Sequence, residues 1–181
     1  MSDEDYHVED LLLDLNRKKE KKKLNSGRKG KRGEHSICKT LIERFDKPFS
    51  RVIGSGAHGH RAALTEEAKL ILTGDIVCPP NFRFTIESKH GYPEIDLCNA
   101  LDGGHKLLDG FMEQVEKDAK RIHRKTLLCC KKNLLPCIAF IKQEDLPNFR
   151  DFKMHLCYND WVAVALTELL KKDNNFFFEI P

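Results

Sequence analysis

The sequence contains no apolar run that approaches the roughly 20 residues needed to cross a bilayer. Its first residues, 1–5, also lack the basic-then-apolar order of a secretory signal. Seven cysteines are present, an odd number, and none of them form a CxxC pair, which argues against a disulfide framework and a structural zinc site. We therefore expect an intracellular protein with reduced cysteines and no membrane partner.

The charge of the chain is unevenly distributed. Its 181 residues suffice for one domain but not for two complete catalytic domains. Residues 3–14 are acidic and residues 17–32 are almost all basic, and like charges at this density repel and bury little apolar area. We predict a flexible charged arm over residues 1–33 and a folded domain over residues 34–181. The basic part could contact phosphates, or it could be a solvated tail or a nuclear-import signal.

The folded domain opens with a helical pattern over residues 34–46, which Pro48 ends because proline disfavours a helical predecessor. The apolar stripe consists of Ile37, Leu41 and Phe45. Glu34 lies at the edge of this stripe. It is either an N-terminal charge that favours the helix dipole or a functional carboxylate.

A short predicted strand, residues 51–53, leads into a loop with three glycines and a cationic fringe. Such a loop lets backbone amides and side chains approach a phosphate, although it is often only a turn, and it lacks the ending of a Walker loop. Its histidines could alternatively serve a metal or act as a base. A short helix, capped by Thr65, is predicted for residues 65–72. The candidate DNA contacts are Arg51, His58, His60 and Arg61.

Residues 74–89 carry the strongest chemical signal. Two strand-like runs flank the turn signal Pro79-Pro80-Asn81 and predict a β-hairpin. In the second run aromatic and aliphatic residues alternate with polar ones, so Glu87 and Lys89 should project from one face while the apolar side chains enter the core. The hairpin would bring Asp75, at the start of the partner strand, near Glu87.

Two converging carboxylates suit a hard cation such as Mg²⁺ or Mn²⁺, which prefers oxygen ligands. Lys89 could position an attacking water or stabilise a developing oxyanion, and Glu34 could complete the metal sphere or act as a base through water. The alternatives are ordinary ones: an aspartate at a strand entrance is often a turn residue, and Glu-x-Lys is often an exposed ion-pair ladder.

The remaining segments predict a mixed sheet between helices. A helix is expected over residues 105–124, with Gln114 beside its apolar stripe. Three strands are expected over residues 126–130, 137–142 and 153–157. A final helix over residues 161–172, capped by Asn159 or Asp160, would turn Trp161, Ala165 and Leu169 inward.

On these motifs the chain resembles the PD-(D/E)xK nuclease superfamily, and within it the archaeal-type Holliday junction resolvases and their phage relatives. The resemblance covers most of residues 33–142. It is carried by the segments 33–34, 51–56, 74–76 and 86–89, and it extends to Gln114 and Asp118-Ala119. It departs from the family pattern at Gly74, where proline is usual, and in the long spacing between Ser55 and Asp75.

The resemblance implies a restriction-endonuclease-like α/β fold with a mixed central sheet, and a catalytic site of Glu34, Asp75, Glu87 and Lys89. It implies metal binding by Asp75, Glu87 and Glu34, and DNA contact by Ser55 and Gln114. It further implies a homodimer, because the strands of a four-way junction are cut symmetrically.

Three functions remain open on the sequence. The first is a metal-dependent Holliday junction resolvase, the second a restriction- or repair-type nuclease of the same superfamily, and the third a non-catalytic DNA-binding protein on the same fold. A phage or large DNA virus is a plausible source for so compact a chain. The protein would be cytoplasmic in a phage or prokaryote, and nuclear or in a viral factory for a eukaryotic virus.

Overall fold

The computed structural model describes residues 26–53, 65, 68, 71–95 and 104–179. A two-stranded antiparallel ribbon is formed by β1 (Ser50–Arg51) and β2 (Ile76–Val77). The central sheet consists of β3 (Phe84–His90), β4 (Lys125–Lys131), β5 (Cys137–Lys142), β6 (Leu156–Tyr158) and β7 (Trp161–Ala165). Its strand order is β3-β4-β5-β7-β6, and all neighbours are antiparallel except β3 and β4, which are parallel.

The described helices are α1 (Ser26–Phe45), α2 (Lys106–Arg121), α3 (Leu166–Leu169) and α4 (Asn174–Phe177), with 3₁₀ turns at Gln143–Asp145 and Phe149–Asp151. The parallel pairing of β3 and β4 requires a crossover, and α2 lies in that crossover. The core has two parts, one on each face of the sheet: α1 and the C-terminal segment pack on one face, and α2 packs on the other. The predicted restriction-endonuclease-like α/β fold is confirmed.

An aromatic cluster holds the start of β3 in place. Phe82 forms an isolated bridge with Phe178 and lies 5.2 Å from it, ring centre to ring centre. Phe45, near the end of α1, contacts both rings edge-on. Phe82, Phe84 and Ile86 are all buried, as the alternation predicted. The apolar side of β3 therefore anchors the strand whose polar side carries Glu87 and Lys89.

The first helix begins earlier than predicted. It starts at Ser26 rather than at residue 34, so residues 26–33, which we assigned to the flexible arm, are helical. Their positive charges repel in isolation, but α1 packs against β3 and continues without interruption into the buried stripe. Residues 1–25 lie outside the described part of the chain.

The predicted hairpin is wrong in its pairing. β2 pairs with β1, with Arg51 opposite Ile76, and not with β3. One backbone hydrogen bond nevertheless joins the two segments, from the N–H of Asp75 to the carbonyl of Ile86 at 2.9 Å. The turn at Pro79-Pro80-Asn81 does bring the segments on its two sides together. The strand that pairs with β2, however, is β1, which lies more than 20 residues earlier in the chain.

The predicted final helix is also wrong over its first half. Residues 161–165 form strand β7, which pairs with both β5 and β6. Asn159 and Asp160 make the two-residue turn of the β6–β7 hairpin, and Asn159 has a φ of 51°, a left-handed value that asparagine tolerates. The helix then runs only over Leu166–Leu169. The predicted strand at 153–157 is observed at Leu156–Tyr158.

Smaller features agree with the expectations. The backbone N–H of Ala68 donates to the Thr65 hydroxyl oxygen, as a helix cap requires. The six described cysteines are free, and Cys38, Cys129 and Cys130 are buried. Within the described residues, no helix combines the length and the apolar character that a membrane crossing demands.

Candidate active site

The backbone of Asp75 connects the ribbon to the sheet. Its N–H donates to Ile86 on β3, and its carbonyl accepts the N–H of Val52, each at 2.9 Å. Its carboxylate oxygen Oδ2 accepts the backbone N–H of Ser88 at 2.9 Å. Asp75 is 9% exposed. Main chain and side chain together hold this carboxylate against the middle of β3.

Gly74 makes this close approach possible. Its φ is +80°, a conformation that residues with a Cβ rarely adopt. A Cβ here would lie 2.8 Å from the carbonyl oxygen of Ile86, the atom that accepts the Asp75 N–H. Proline, usual at this position in the resembling family, cannot reach this φ. The departure from the family motif therefore has a local physical reason.

Glu87 and Lys89 lie on the same face of β3, as predicted. The Lys89 Nζ donates to Glu87 Oε1 at 2.6 Å, and the two side chains are 13% and 4% exposed respectively. The ammonium also lies 4.7 Å from the centre of the Phe111 ring on α2. Lys89 is thus held between a carboxylate and an aromatic face, with its stem buried.

Burial and, to a smaller extent, the charge of Asp75 together raise the pKa of Glu87 to about 7, although the ammonium of Lys89 opposes the shift. Burial lowers the pKa of Lys89, but the Glu87 carboxylate and its hydrogen bond outweigh that effect, so the net shift is upward. Lys89 is therefore a stable ammonium at neutral pH. The effect of Asp75 on the pKa of both groups places all three in one electrostatic unit.

Gln114 ties α2 to this unit. Its Nε2 donates to Glu87 Oε1 at 2.8 Å, and its Oε1 accepts from Lys89 Nζ at 3.0 Å. The sequence suggested a DNA contact for Gln114, but its amide is engaged by the two site residues. The helical register had placed Gln114 beside the apolar stripe, three residues after Phe111, but the sequence did not show which residues of the sheet it would meet.

Glu34 lies nearby on α1 and forms an ion pair with Arg51 of β1. Its helix approaches the end of β3 closely, since a Cβ at Gly33 would lie 2.5 Å from the Cβ of His90. Arg51, which we predicted as a DNA contact, thus neutralises Glu34, the third carboxylate of the predicted metal site. Within the described ranges no three acidic, histidine or cysteine side chains gather into a metal cage. The predicted metal set of Glu34, Asp75 and Glu87 is therefore not assembled as one cluster.

The carboxylate oxygens of Asp75 and Glu87 nevertheless suit a hard divalent cation. Asp75 and Glu87 are both buried carboxylates, and the charge of Asp75 adds to the effect of burial in raising the pKa of Glu87. Carboxylate oxygens are the ligands that Mg²⁺ and Mn²⁺ prefer. The other predicted DNA contacts, Ser55, His58, His60 and Arg61, lie outside the described residues.

A mixed sheet with an aspartate at its edge, followed by Glu-x-Lys on the next strand, defines the PD-(D/E)xK class of nucleases. The chain matches, over residues 25–176, the family described as "Phage putative PDDEXK endonuclease", and it belongs to that family of phage endonucleases. It is also similar to Protein D14 of Escherichia phage T5, with 29% identity over 114 residues. That match covers 61% of this chain and 66% of the phage T5 protein. No solved structure matches the chain.

Proposed function

We propose that this protein is a divalent-metal-dependent endonuclease that hydrolyses DNA phosphodiester bonds, and that its preferred substrate is a four-way junction. The observation that carries the proposal is that Asp75, Glu87 and Lys89 lie close together at β3, an edge strand of the sheet. A structural ion pair would need only Glu87 and Lys89. The buried carboxylate of Asp75 adds a second negative charge beside them, which a bound divalent cation would compensate.

Asp75 and Glu87 would hold Mg²⁺ or Mn²⁺. When bound, the cation supplies positive charge at the scissile phosphate and lowers the pKa of a water. Asp75 would keep its orientation because Ser88 donates to it from the backbone. Glu34 is neutralised by Arg51, so we propose that it acts through a water rather than by direct ligation.

Lys89 would stabilise the negative charge that develops on the phosphate oxygens as the water oxygen attacks phosphorus and the P–O bond to the leaving strand breaks. Its raised pKa makes a role as a general base at neutral pH unfavourable. Gln114 would be a positioning residue, since it contacts both Glu87 and Lys89. Its removal should lower the cleavage rate more than DNA affinity.

The preference for junctions rests on the resemblance of the motifs to junction resolvases. Symmetric cleavage of a junction would further require two active sites, so we propose a homodimer as the active form.

The test is a cleavage assay with a synthetic four-way junction and a linear duplex of the same sequence. We expect Mg²⁺-dependent nicking of paired strands near the branch point and much slower cleavage of the duplex. Equal cleavage of both substrates would favour a restriction- or repair-type nuclease. Binding of both without cleavage in Mg²⁺ or Mn²⁺ would favour a non-catalytic DNA-binding protein.

Metal binding should depend on pH through Glu87. Because folding raises its pKa from 4.5 to about 7, the metal-free fold favours the protonated carboxyl. The stabilisation that results is present below pH 4.5 and is lost as the pH rises through about 7. A cation binds the carboxylate form, so Mn²⁺ affinity should rise about tenfold per pH unit below this pKa and level off above it.

Isothermal titration of Mn²⁺ between mildly acidic and mildly alkaline pH, in two buffers of different ionisation enthalpy, measures both the affinity and the proton released. The Glu87→Gln variant is the control, since it retains a side chain of similar size without the titrating group. An affinity that stays constant over this range would contradict the assignment of Glu87 as a ligand.

A further inference from the structure

A pocket of about 270 Å³ opens beside Lys89, between the end of β3 and the β4–β5 turn. Its floor is apolar and includes Ile95, Ile138 and Phe140. This volume is slightly below the range of about 300–1,000 Å³ that is typical of small-molecule sites, so the pocket suits one ring system rather than a large ligand. Because Lys89 forms part of its wall, the pocket is continuous with the candidate active site.

The lining of this pocket includes three lysines. They are Lys89 and, at the end of β4, Lys131 and Lys132. None of the described residues that line the pocket is acidic. A lining that combines apolar side chains with lysines matches the two halves of a nucleotide, because the base is flat and largely apolar on its faces and the phosphate is an anion.

One wall of the pocket is aromatic. Tyr92 is 38% exposed, and its ring packs edge-on against Phe111 at 5.0 Å between ring centres. Phe111 is also the residue whose ring carries the ammonium of Lys89. A base stacked on Tyr92 would therefore lie next to the side chain proposed to contact the scissile phosphate. Aromatic side chains that stack on bases are common in proteins that bind unpaired nucleotides.

The β4–β5 turn carries two exposed leucines, of which the second also lines the pocket. Leu134 is fully exposed and has a φ of 62°, which is costly for a leucine. Leu135 is 53% exposed and lines the pocket mouth. Apolar side chains such as leucine can insert between base steps and unstack them.

We propose that this pocket binds a single unstacked nucleobase of the DNA strand whose phosphate occupies the active site, and that Leu134 and Leu135 separate this base from its neighbour. The proposal rests on the proposed nuclease function and names how the substrate is selected. Unstacking costs least where pairing is already weakened, as at a branch point. The pocket would thus favour branched over linear DNA.

The test uses the full chain and four-way junctions in which an abasic site is moved through the nucleotides around the branch point. Binding is measured in EDTA, so that the result does not depend on cleavage. We expect one position at which loss of the base weakens binding about five- to 100-fold. A 2-aminopurine placed at that position should brighten on binding, because the pocket removes it from the base stack.

Leu135→Trp is the diagnostic variant, since the indole would cover the pocket mouth from an exposed position. It should abolish both the abasic effect and the 2-aminopurine signal. Met154→Trp, also at an exposed residue (80%) but on the segment before the far edge strand β6, is the matched control and should behave as the unmodified protein.

Three outcomes separate this proposal from the nuclease proposal. A position-specific loss that Leu135→Trp removes and Met154→Trp retains supports the pocket. Absence of any such position, or an equal loss in both variants, overturns it, even if the protein cleaves DNA in Mg²⁺. A base-specific signal in a protein that cleaves no DNA would support the pocket while the proposed nuclease function fails.

Discussion

Asp75→Asn and Lys89→Met are each expected to lower the rate of Mg²⁺-dependent DNA cleavage by about a thousandfold. Asparagine retains an oxygen that can accept the Ser88 N–H, so the fold should persist while one charged ligand is lost. Methionine keeps an apolar stem beside Phe111 but removes the ammonium. Single-turnover cleavage of a labelled junction measures both rates.

The chain offers a matched control for Lys89. Lys142 also pairs with carboxylates, Glu116 and Asp160, and its ammonium also lies 4.7 Å from an aromatic ring, that of Trp161. It lies on β5, outside the proposed site. Lys142→Met should therefore cleave DNA at the rate of the unmodified protein. Normal cleavage by Lys89→Met, or an equal loss in both lysine variants, would contradict a specific catalytic role for Lys89.

Gly74→Pro should lower the free energy of unfolding by about 3 kcal/mol or more, even though proline is the family's usual residue at this position. Its ring cannot adopt the φ of +80°, and the added atoms would meet the Ile86 carbonyl. The Asp75–Ile86 hydrogen bond would be displaced, so the residual folded protein should also cleave poorly. Urea unfolding and cleavage by the folded fraction measure the two effects.

Gly104→Ala is the control that separates the cost of an unfavourable φ from the cost of a steric clash. Gly104 has a φ of +148°, but a Cβ there would meet no atom within 4 Å among the described residues. In this variant the free energy of unfolding should fall by about 1 kcal/mol or a little more, and the DNA cleavage rate should not change. If Gly74→Pro were no less stable than Gly104→Ala, the packing of Gly74 against β3 would be refuted.

The polar face of β3 could be predicted from the sequence because a strand has a period of two. Phe82, Phe84 and Ile86 are buried, and Glu87 and Lys89 share a face, as their alternation requires. The short motif also placed Asp75 near this face, since few residues separate it from Glu87. These features depend on local spacing, which a single sequence contains.

Other parts of the site depend on residues far apart in the chain. Glu34 and Arg51 were assigned separate roles, but the packing of α1 against β1 joins them in one ion pair. Gln114 reaches Glu87 and Lys89 only because the β3-α2-β4 crossover lays α2 over the end of β3. A local sequence pattern shows which face of a helix is apolar, but not where on the sheet the helix packs or which strand residues it contacts.

The segment from residue 159 onward shows the same limit of prediction from local sequence. Its apolar residues fit either a helix or a strand, and Asn159 suits either a helix cap or a left-handed turn. The strand prevails because β5 and β6 offer backbone partners on both sides of β7. By itself, the sequence determined that Glu87 and Lys89 share one face of β3, through backbone periodicity. Only the tertiary structure decided their partners and their pKa values, because burial and contacts between distant segments arise when the whole sheet and its helices pack.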